Sequence, residues 1–321
     1  MVPYYEILLE DNFGNFYIEK SFKNYKIGES INQGLKVPLC DRTKSQKKIG
    51  VIGTGLMGKQ LAQLLMEAGY HVVLCSRTEE RLIEAIKKIE KGLSKTKDPQ
   101  AIKKILSRIE LSTDLAKLYG AELIIETIIE DLATKRQLLS NISMICSEKT
   151  IIATNTSSLP ISGLASSFSH PERVIGMHFF NPAAKMQLVE IVYGEGTSRE
   201  TIEYAMNFSE GLGKTPIVVK DSPGFIVNRC LMPFINEAAF LLHEGVSPND
   251  IDKAIKLGLN HPIGPLGLAD LIGLDICVSI MNTLFQGFKD TRYIPSPVFE
   301  ELIKKGYLGK KTGRGFYDYS H

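Results

Sequence analysis

Cysteine is scarce and unpatterned in this chain of 321 residues. Cys40, Cys75, Cys146, Cys230 and Cys277 make an odd number and form no CxxC spacing. That excludes a disulfide framework and a zinc ribbon, and fits reduced thiols. No apolar run reaches the roughly 20 residues that a helical membrane span needs. Neither charge sign dominates: 38 Lys and Arg face 36 Asp and Glu, a net charge of +2. Such a balance gives no case for a nucleic-acid partner. Residues 1–6 hold no basic stretch leading into an apolar core, and early acids argue against a transit peptide. The expectation is a cytoplasmic protein with no membrane partner. Internal repeats and low-complexity tracts are missing too. What is present is an ordinary globular composition, 44% hydrophobic and 23% charged, in a chain long enough for two domains.

A glycine pattern gives the first positive signal. Residues 48–52 read as a strand, 59–68 as a helix closed by Gly69, and 70–75 as the next strand. Between the first strand and the helix stands Gly53-Thr54-Gly55-Leu56-Met57-Gly58. GxGxxG alone is weak, but in a βαβ unit of this length it marks dinucleotide binding. Gly53 makes the tight turn, and Gly55 lets the backbone approach a pyrophosphate. Leu56 and Met57 lead into the helix whose N-terminus receives the phosphate, and Gly58 lets that helix pack on the strand. An NAD site usually ends its second strand on Asp or Glu, which bonds the ribose 2′-hydroxyl. Here Ser76 and Arg77 follow instead. They suit a 2′-phosphate, arginine by charge and by stacking on adenine, so NADP is expected over NAD. The alternative is a solvated Arg77, with Ser76 on the ribose and NAD still bound.

Further along, an apolar approach ends in Met177-His178-Phe179-Phe180-Asn181-Pro182. A second hydrophobic run, 186–192, carries Glu190 where an apolar residue would be expected. Two such runs joined by a short polar turn read as neighbouring strands, which brings His178 and Glu190 within hydrogen-bond reach. A histidine oriented by a carboxylate is a general base with a fixed tautomer. The same spacing also fits a core histidine beside an edge-strand glutamate.

The remaining segments fill in a sheet and a helical tail. Strands are expected at 109–113, 121–129, 150–154 and 216–219, with a helix opening over 130–135. Between 79 and 110 two helices carry Lys87, Lys88, Lys91, Lys95, Lys103 and Lys104, a face that is either solvated or open to a phosphate-rich ligand. Asn155, Thr156, Ser157 and Ser158 sit at a strand tip beside the expected nicotinamide. They are candidate cofactor and substrate contacts, or else they cap the helix after Pro160. From Asp221 the chain turns helical, with helices over 230–245, 250–258 and 268–285. Asn228 either reaches the site from this second domain or is a buried amide on a backbone partner. The expected fold is α/β. Residues 1–46 form a small β-rich N-terminal extension and linker, with strands at 4–10 and 16–20 and a short one near 25. Residues 47–220 form a Rossmann-type doubly wound sheet, and 221–321 an all-helical C-terminal domain.

From about Lys48 to Tyr319 the chain resembles the 3-hydroxyacyl-CoA dehydrogenase family, including its 3-hydroxybutyryl-CoA dehydrogenases. The resemblance rests on residues 53–58, 155–158, 178–182 with 188–190, 221–229, 262–275 and the signature 309–317. It implies a helical domain that dimerises and a small acyl-CoA substrate. It also implies His178 as the base for the 3-hydroxyl, Glu190 as its support, and Ser157 and Asn228 as substrate-oxygen and histidine-positioning residues. Glu130 and Lys135 match nicotinamide-side cofactor contacts. The lysine-bearing helices occupy the place where the family receives the CoA nucleotide. Two departures stand out: the missing acid at Ser76, and the extension before Lys48. An acyl group on a carrier protein would meet the same catalytic residues. A rival within the enzymes is a β-hydroxyacid dehydrogenase related to 6-phosphogluconate dehydrogenase, which depends on a catalytic lysine in its second domain. Outside them, a non-catalytic homologue of the crystallin kind shares the fold, and retention of His178, Glu190, Ser157 and Asn228 argues against it.

Overall fold

The structure, a computed structural model, describes residues 47–320 and two short antiparallel strands, β1 (Phe16–Tyr17) and β2 (Lys26–Ile27). The chain divides into two compact units, Met1–Lys44 and Ser45–His321. Beyond those two strands, the expected strands of the extension and Cys40 lie outside the described residues.

In the larger unit the first half alternates strands and helices. The strands are β3 (Lys48–Ile52), β4 (His71–Cys75), β5 (Ile109–Ser112), β6 (Leu123–Glu126), β7 (Ile151–Thr154), β8 (Val174–Phe179), β9 (Leu188–Tyr193) and β10 (Thr215–Lys220). They form one sheet in the order β10-β9-β8-β7-β6-β3-β4-β5, parallel except for the β8–β9 pair. Every residue of β6, β7 and β8 is buried, as expected of strands covered on both faces. The covering helices are α1 (Leu56–Glu67), α2 (Glu79–Leu93), α3 (Pro99–Leu106), α4 (Leu132–Ser143), α5 (Ile161–Ala165) and α6 (Arg199–Gly211). From β3 the chain first moves out to β4 and β5, then returns to the other side at β6. That reversal opens a crevice at the C-terminal ends of β3 and β6, where such sheets take ligands.

Helix starts divide into two kinds. Asp98 caps α3, Asp131 caps α4 and Ser198 caps α6, each accepting a first-turn N–H. α1 has Gly55 at its cap, no side-chain cap bond and no acid in its first turn. Its orphan N–H groups are left for an anion at the crevice.

The second half is helical: α7 (Val227–His243), α8 (Pro248–Gly258), α9 (Pro265–Ile272), α10 (Leu274–Phe288) and α11 (Pro297–Lys304). One expectation fails here. The single helix over 268–285 is two helices bent by 97°. Gly273 sits between them at φ 108°, a conformation that an L side chain rarely adopts, and α10 restarts from it. The apolar periodicity runs on across the break because both helices bury Ala269, Leu274, Cys277 and Met281 in one core. The signature at the chain end is structural. Asp270 accepts N–H bonds from Phe316 at 2.8 Å and Tyr317 at 2.9 Å, and the Tyr319 hydroxyl at 3.1 Å. A Cβ on Gly315 would lie 1.9 Å from the Asp270 carboxylate.

Burial sets the thiol chemistry. It pushes Cys75, Cys146 and Cys277 up to about 12, whereas Cys230 is exposed on α7. Brief alkylation of the native protein at pH 8 should therefore label Cys230 and spare Cys75, Cys146 and Cys277, since a thiol with a pKa near 12 has almost no thiolate there. Peptide mass spectrometry checks this. Rapid labelling of Cys75 or Cys277 would contradict the buried placement.

Candidate active site

The glycine loop takes its shape from close backbone approach. Gly53 has φ 111°, and its N–H donates to the Cys75 carbonyl at 2.9 Å. A Cβ on Gly58 would fall 2.0 Å from the Gly53 carbonyl oxygen, so α1 could not approach the strand. A Cβ on Gly55 would meet only the Thr127 carbonyl, at 4.0 Å. The middle glycine thus faces open space, the side from which a pyrophosphate would come. Thr127, just past β6, fastens the loop by donating its hydroxyl to the Ile52 carbonyl at 2.9 Å.

A cavity of about 1050 Å³ extends from this loop. Gly53, Gly55, Leu56 and Met57 line it, as do Ser76, Arg77 and Asn155. Cradle, uncapped helix and volume together fit a dinucleotide. Ser76 is held by the Thr54 hydroxyl at 3.2 Å, and Arg77 is exposed. Asn155 in the lining accepts the Phe179 N–H on its Oδ1 at 2.9 Å and so ties the cavity to the His178 strand.

His178 and Glu190 are direct partners across the antiparallel β8–β9 pair. Their Nδ1 and Oε2 are 2.6 Å apart, and both side chains are buried. With Nδ1–H donated to the carboxylate, Nε2 holds the lone pair that can take a proton. Glu190's other oxygen accepts the N–H groups of Ile226 at 2.9 Å and Val227 at 3.0 Å. These open α7, so a sheet carboxylate lies at the positive end of the first helix of the C-terminal half. The imidazole rests between two rings, Phe180 at 4.4 Å and Phe225 at 5.7 Å between centroids. Phe225 has φ 53°, a conformation rare for a bulky residue.

The other expected residues gather nearby. Glu130 accepts the Thr156 hydroxyl at 2.6 Å and the Ser157 N–H at 2.9 Å, which folds residues 156–158 into a tight turn. Those residues do not cap α5, which begins with Pro160 at its cap and no side-chain bond there. Ser157 is half-buried at the turn. Asn228 reaches it from α7, donating Nδ2–H to the Ser157 carbonyl at 3.2 Å. Asn228 is thus a buried amide on a backbone partner, and that partner belongs to Ser157. Lys135 lies deeper, its side chain 1% exposed. It donates to both oxygens of Glu126, at 2.6 and 2.8 Å, and its ammonium is 3.5 Å from Glu130.

Several contributors escaped the sequence reading. Phe225 and Phe180 frame the imidazole, and only the fold brings Phe225 there. Gln60 on α1 donates to the Asn181 side chain at 2.9 Å and accepts the Ala183 N–H at 2.6 Å. Lys214 donates to the carbonyls of Ala183 and Met186, and burial pushes its ammonium down. The turn after His178 is thus gripped from two sides. Glu126 had a signal like that of Glu190: an acid in an otherwise apolar strand.

The family model described as the NAD binding domain of 3-hydroxyacyl-CoA dehydrogenase matches residues 48–222. The model for the C-terminal domain of 3-hydroxyacyl-CoA dehydrogenase matches residues 224–319. A probable 3-hydroxybutyryl-CoA dehydrogenase of Bacillus subtilis is 44% identical over 279 residues, covering 85% of this chain and 97% of the relative. Mitochondrial hydroxyacyl-coenzyme A dehydrogenase of Homo sapiens is 40% identical over 286 residues, covering 85% of this chain and 91% of the relative. The crystal structure of (S)-3-hydroxybutyryl-CoA dehydrogenase from Ralstonia eutropha has a TM-score of 0.82 at 43% identity, over 86% of this chain and 99% of that one. The chain belongs to the 3-hydroxyacyl-CoA dehydrogenase family, oxidoreductases that move a hydride between a nicotinamide cofactor and C3 of a 3-hydroxyacyl thioester.

Proposed function

We propose that the protein interconverts a short-chain 3-hydroxyacyl-CoA and its 3-oxo partner, with 3-hydroxybutyryl-CoA and acetoacetyl-CoA as the simplest pair, and that it prefers NADP to NAD. The buried His178–Glu190 pair beside the dinucleotide cavity is the observation that carries this reading. A bound nicotinamide supplies the hydride acceptor or donor at C4. In oxidation, Nε2 of His178 takes the proton of the substrate's 3-hydroxyl. The imidazolium that forms is stabilised by Glu190, whose charge is shared with two helix-start amides. In reduction the same imidazolium returns the proton. Ser157 offers a hydroxyl to the substrate oxygen from a turn that Glu130 holds rigid, and Asn228 fixes that turn from the helical side. Lys135 orients Glu130 from below. Names of the relatives support the acyl-CoA class and the four-carbon chain. Support for NADP is local: Ser76 and Arg77 line the cavity where an acid would hold an NAD ribose.

A homodimer in the cytoplasm belongs to the same reading. Leu257, Leu259 and Leu271 on the helical half are 75%, 58% and 58% exposed, apolar surface that a second copy would cover. Initial rates test the substrate. Acetoacetyl-CoA with NADPH should give the highest kcat/KM, ahead of NADH and ahead of acetoacetyl groups on an acyl carrier protein. Faster turnover of the carrier-bound group would overturn the CoA assignment, and faster turnover with NADH would overturn the cofactor preference.

A further inference from the structure

The cavity holds more positive charge than an NAD needs. Lys59, Arg77, Arg81 and Lys88 line it, against one carboxylate, Glu84. Glu84 is already bonded to Lys88 one turn along α2. Arg81, Glu84 and Lys88 are spaced at three and four residues, so one face of α2 turns toward the cavity. The acids of its first turn, Glu79 and Glu80, are not among the lining residues. Among the described residues neither Arg77 nor Arg81 has a carboxylate within ion-pair distance. The pyrophosphate of a dinucleotide has its own receiver, the uncapped start of α1 at Gly55. Two guanidinium groups therefore remain without an anion, beside Ser76, where the ribose of a dinucleotide seated on that loop would lie.

We infer that Arg81 is the second half of a two-arginine clamp, with Arg77, for the 2′-phosphate of NADP. This rests on the NADP reading and goes beyond it by placing selectivity on a helix residue four positions past the strand tip. The chemistry needs two cations. A phosphomonoester carries close to two charges at neutral pH and presents three acceptor oxygens, more than one guanidinium fork can satisfy. Arg77 comes from the loop and Arg81 from the first turn of α2, so the two approach from different backbone directions. Glu84, the one acid of the lining, is bonded to Lys88 and makes no ion pair with Arg81, although it feels the charge of Arg81.

Binding without turnover tests the clamp. Adenosine 2′,5′-bisphosphate and 5′-AMP are titrated calorimetrically into the wild type, Arg81→Met, Arg81→Gln and Arg77→Met; NADPH and NADH are titrated by fluorescence. The wild type should hold the bisphosphate at least about tenfold tighter than 5′-AMP. Arg81→Met and Arg81→Gln should each erase about tenfold of that preference and leave NADH within about twofold, since only the 2′-phosphate contact is lost. Melting temperature should stay level, because Arg81 is exposed. A wild type that binds 5′-AMP as tightly as the bisphosphate would sink the NADP reading itself. A wild type that prefers the bisphosphate, with Arg81 variants that keep the full preference, would leave NADP standing and remove Arg81 from the clamp. Equal weakening of NADPH and NADH would make Arg81 a general cofactor contact and overturn its role in selectivity.

Discussion

His178→Gln should lower kcat by roughly three orders of magnitude while the dissociation constants of NADPH and NADH stay within about twofold. Glutamine fills similar volume and can still donate to Glu190, so the buried carboxylate keeps its partners: the new amide and the N–H groups of Ile226 and Val227. What disappears is the basic nitrogen. Proton transfer by a positioned side chain contributes about two to four orders of magnitude, and among the described residues no second imidazole lies within ring contact of His178 to replace it. The cavity lining does not include His178, which is why cofactor affinity should survive. Steady-state kinetics in both directions, with fluorescence titration of the cofactor, separates the two effects. A variant that turns over at the wild-type rate would remove His178 from the chemistry. A variant that loses cofactor affinity in proportion to rate would show that the histidine acts on the cleft.

Lys135→Met should cost about 3–5 kcal/mol of stability and lower the melting temperature by roughly 10 °C. Glu126 is 0% exposed and Lys135 1%. The carboxylate also accepts the Ile128 N–H at 2.6 Å and the Thr154 hydroxyl at 2.7 Å, a geometry that suits its ionised form. Removing the ammonium leaves that charge buried without a counter-ion. The cost of stranding a charge exceeds the net worth of the pair, so Glu126→Gln with Lys135→Met should recover part of the loss. Urea unfolding of the wild type, both single variants and the double variant completes the cycle. If Lys135→Met unfolds at the wild-type urea concentration, the pair is not a structural anchor. A functional effect should accompany the structural one, because Lys135 also faces Glu130, which shapes the Ser157 turn.

Much of the sheet was legible because its strands are buried on both faces and read as short apolar runs between glycine and polar turns. The glycine loop was legible for another reason: Gly53 and Gly58 stand where a Cβ would strike backbone, so the sequence has little freedom there. The α9–α10 corner was not legible. A Gly in an apolar helical pattern is compatible with a continuous helix, and only the packing of both helices into one core decides for the bend.

The site divides along the same line. By itself the sequence determined a βαβ unit with a phosphate-binding turn, a Ser-Arg tip in place of an acid, and a lone histidine followed by an acid in a second strand. Local spacing carries those, since strand period and turn chemistry act over a few residues. Only the tertiary structure decided that His178 and Glu190 fall in register across an antiparallel pair, the one antiparallel pairing in the sheet. A slip of one residue would have turned the two side chains to opposite faces. The fold likewise set Glu190's second oxygen on the start of α7, Phe225 against the imidazole and Asn228 on Ser157. These contacts join residues 36 to 71 positions apart. Their free energy is gained only after the chain between them has been ordered, so no local pattern records them.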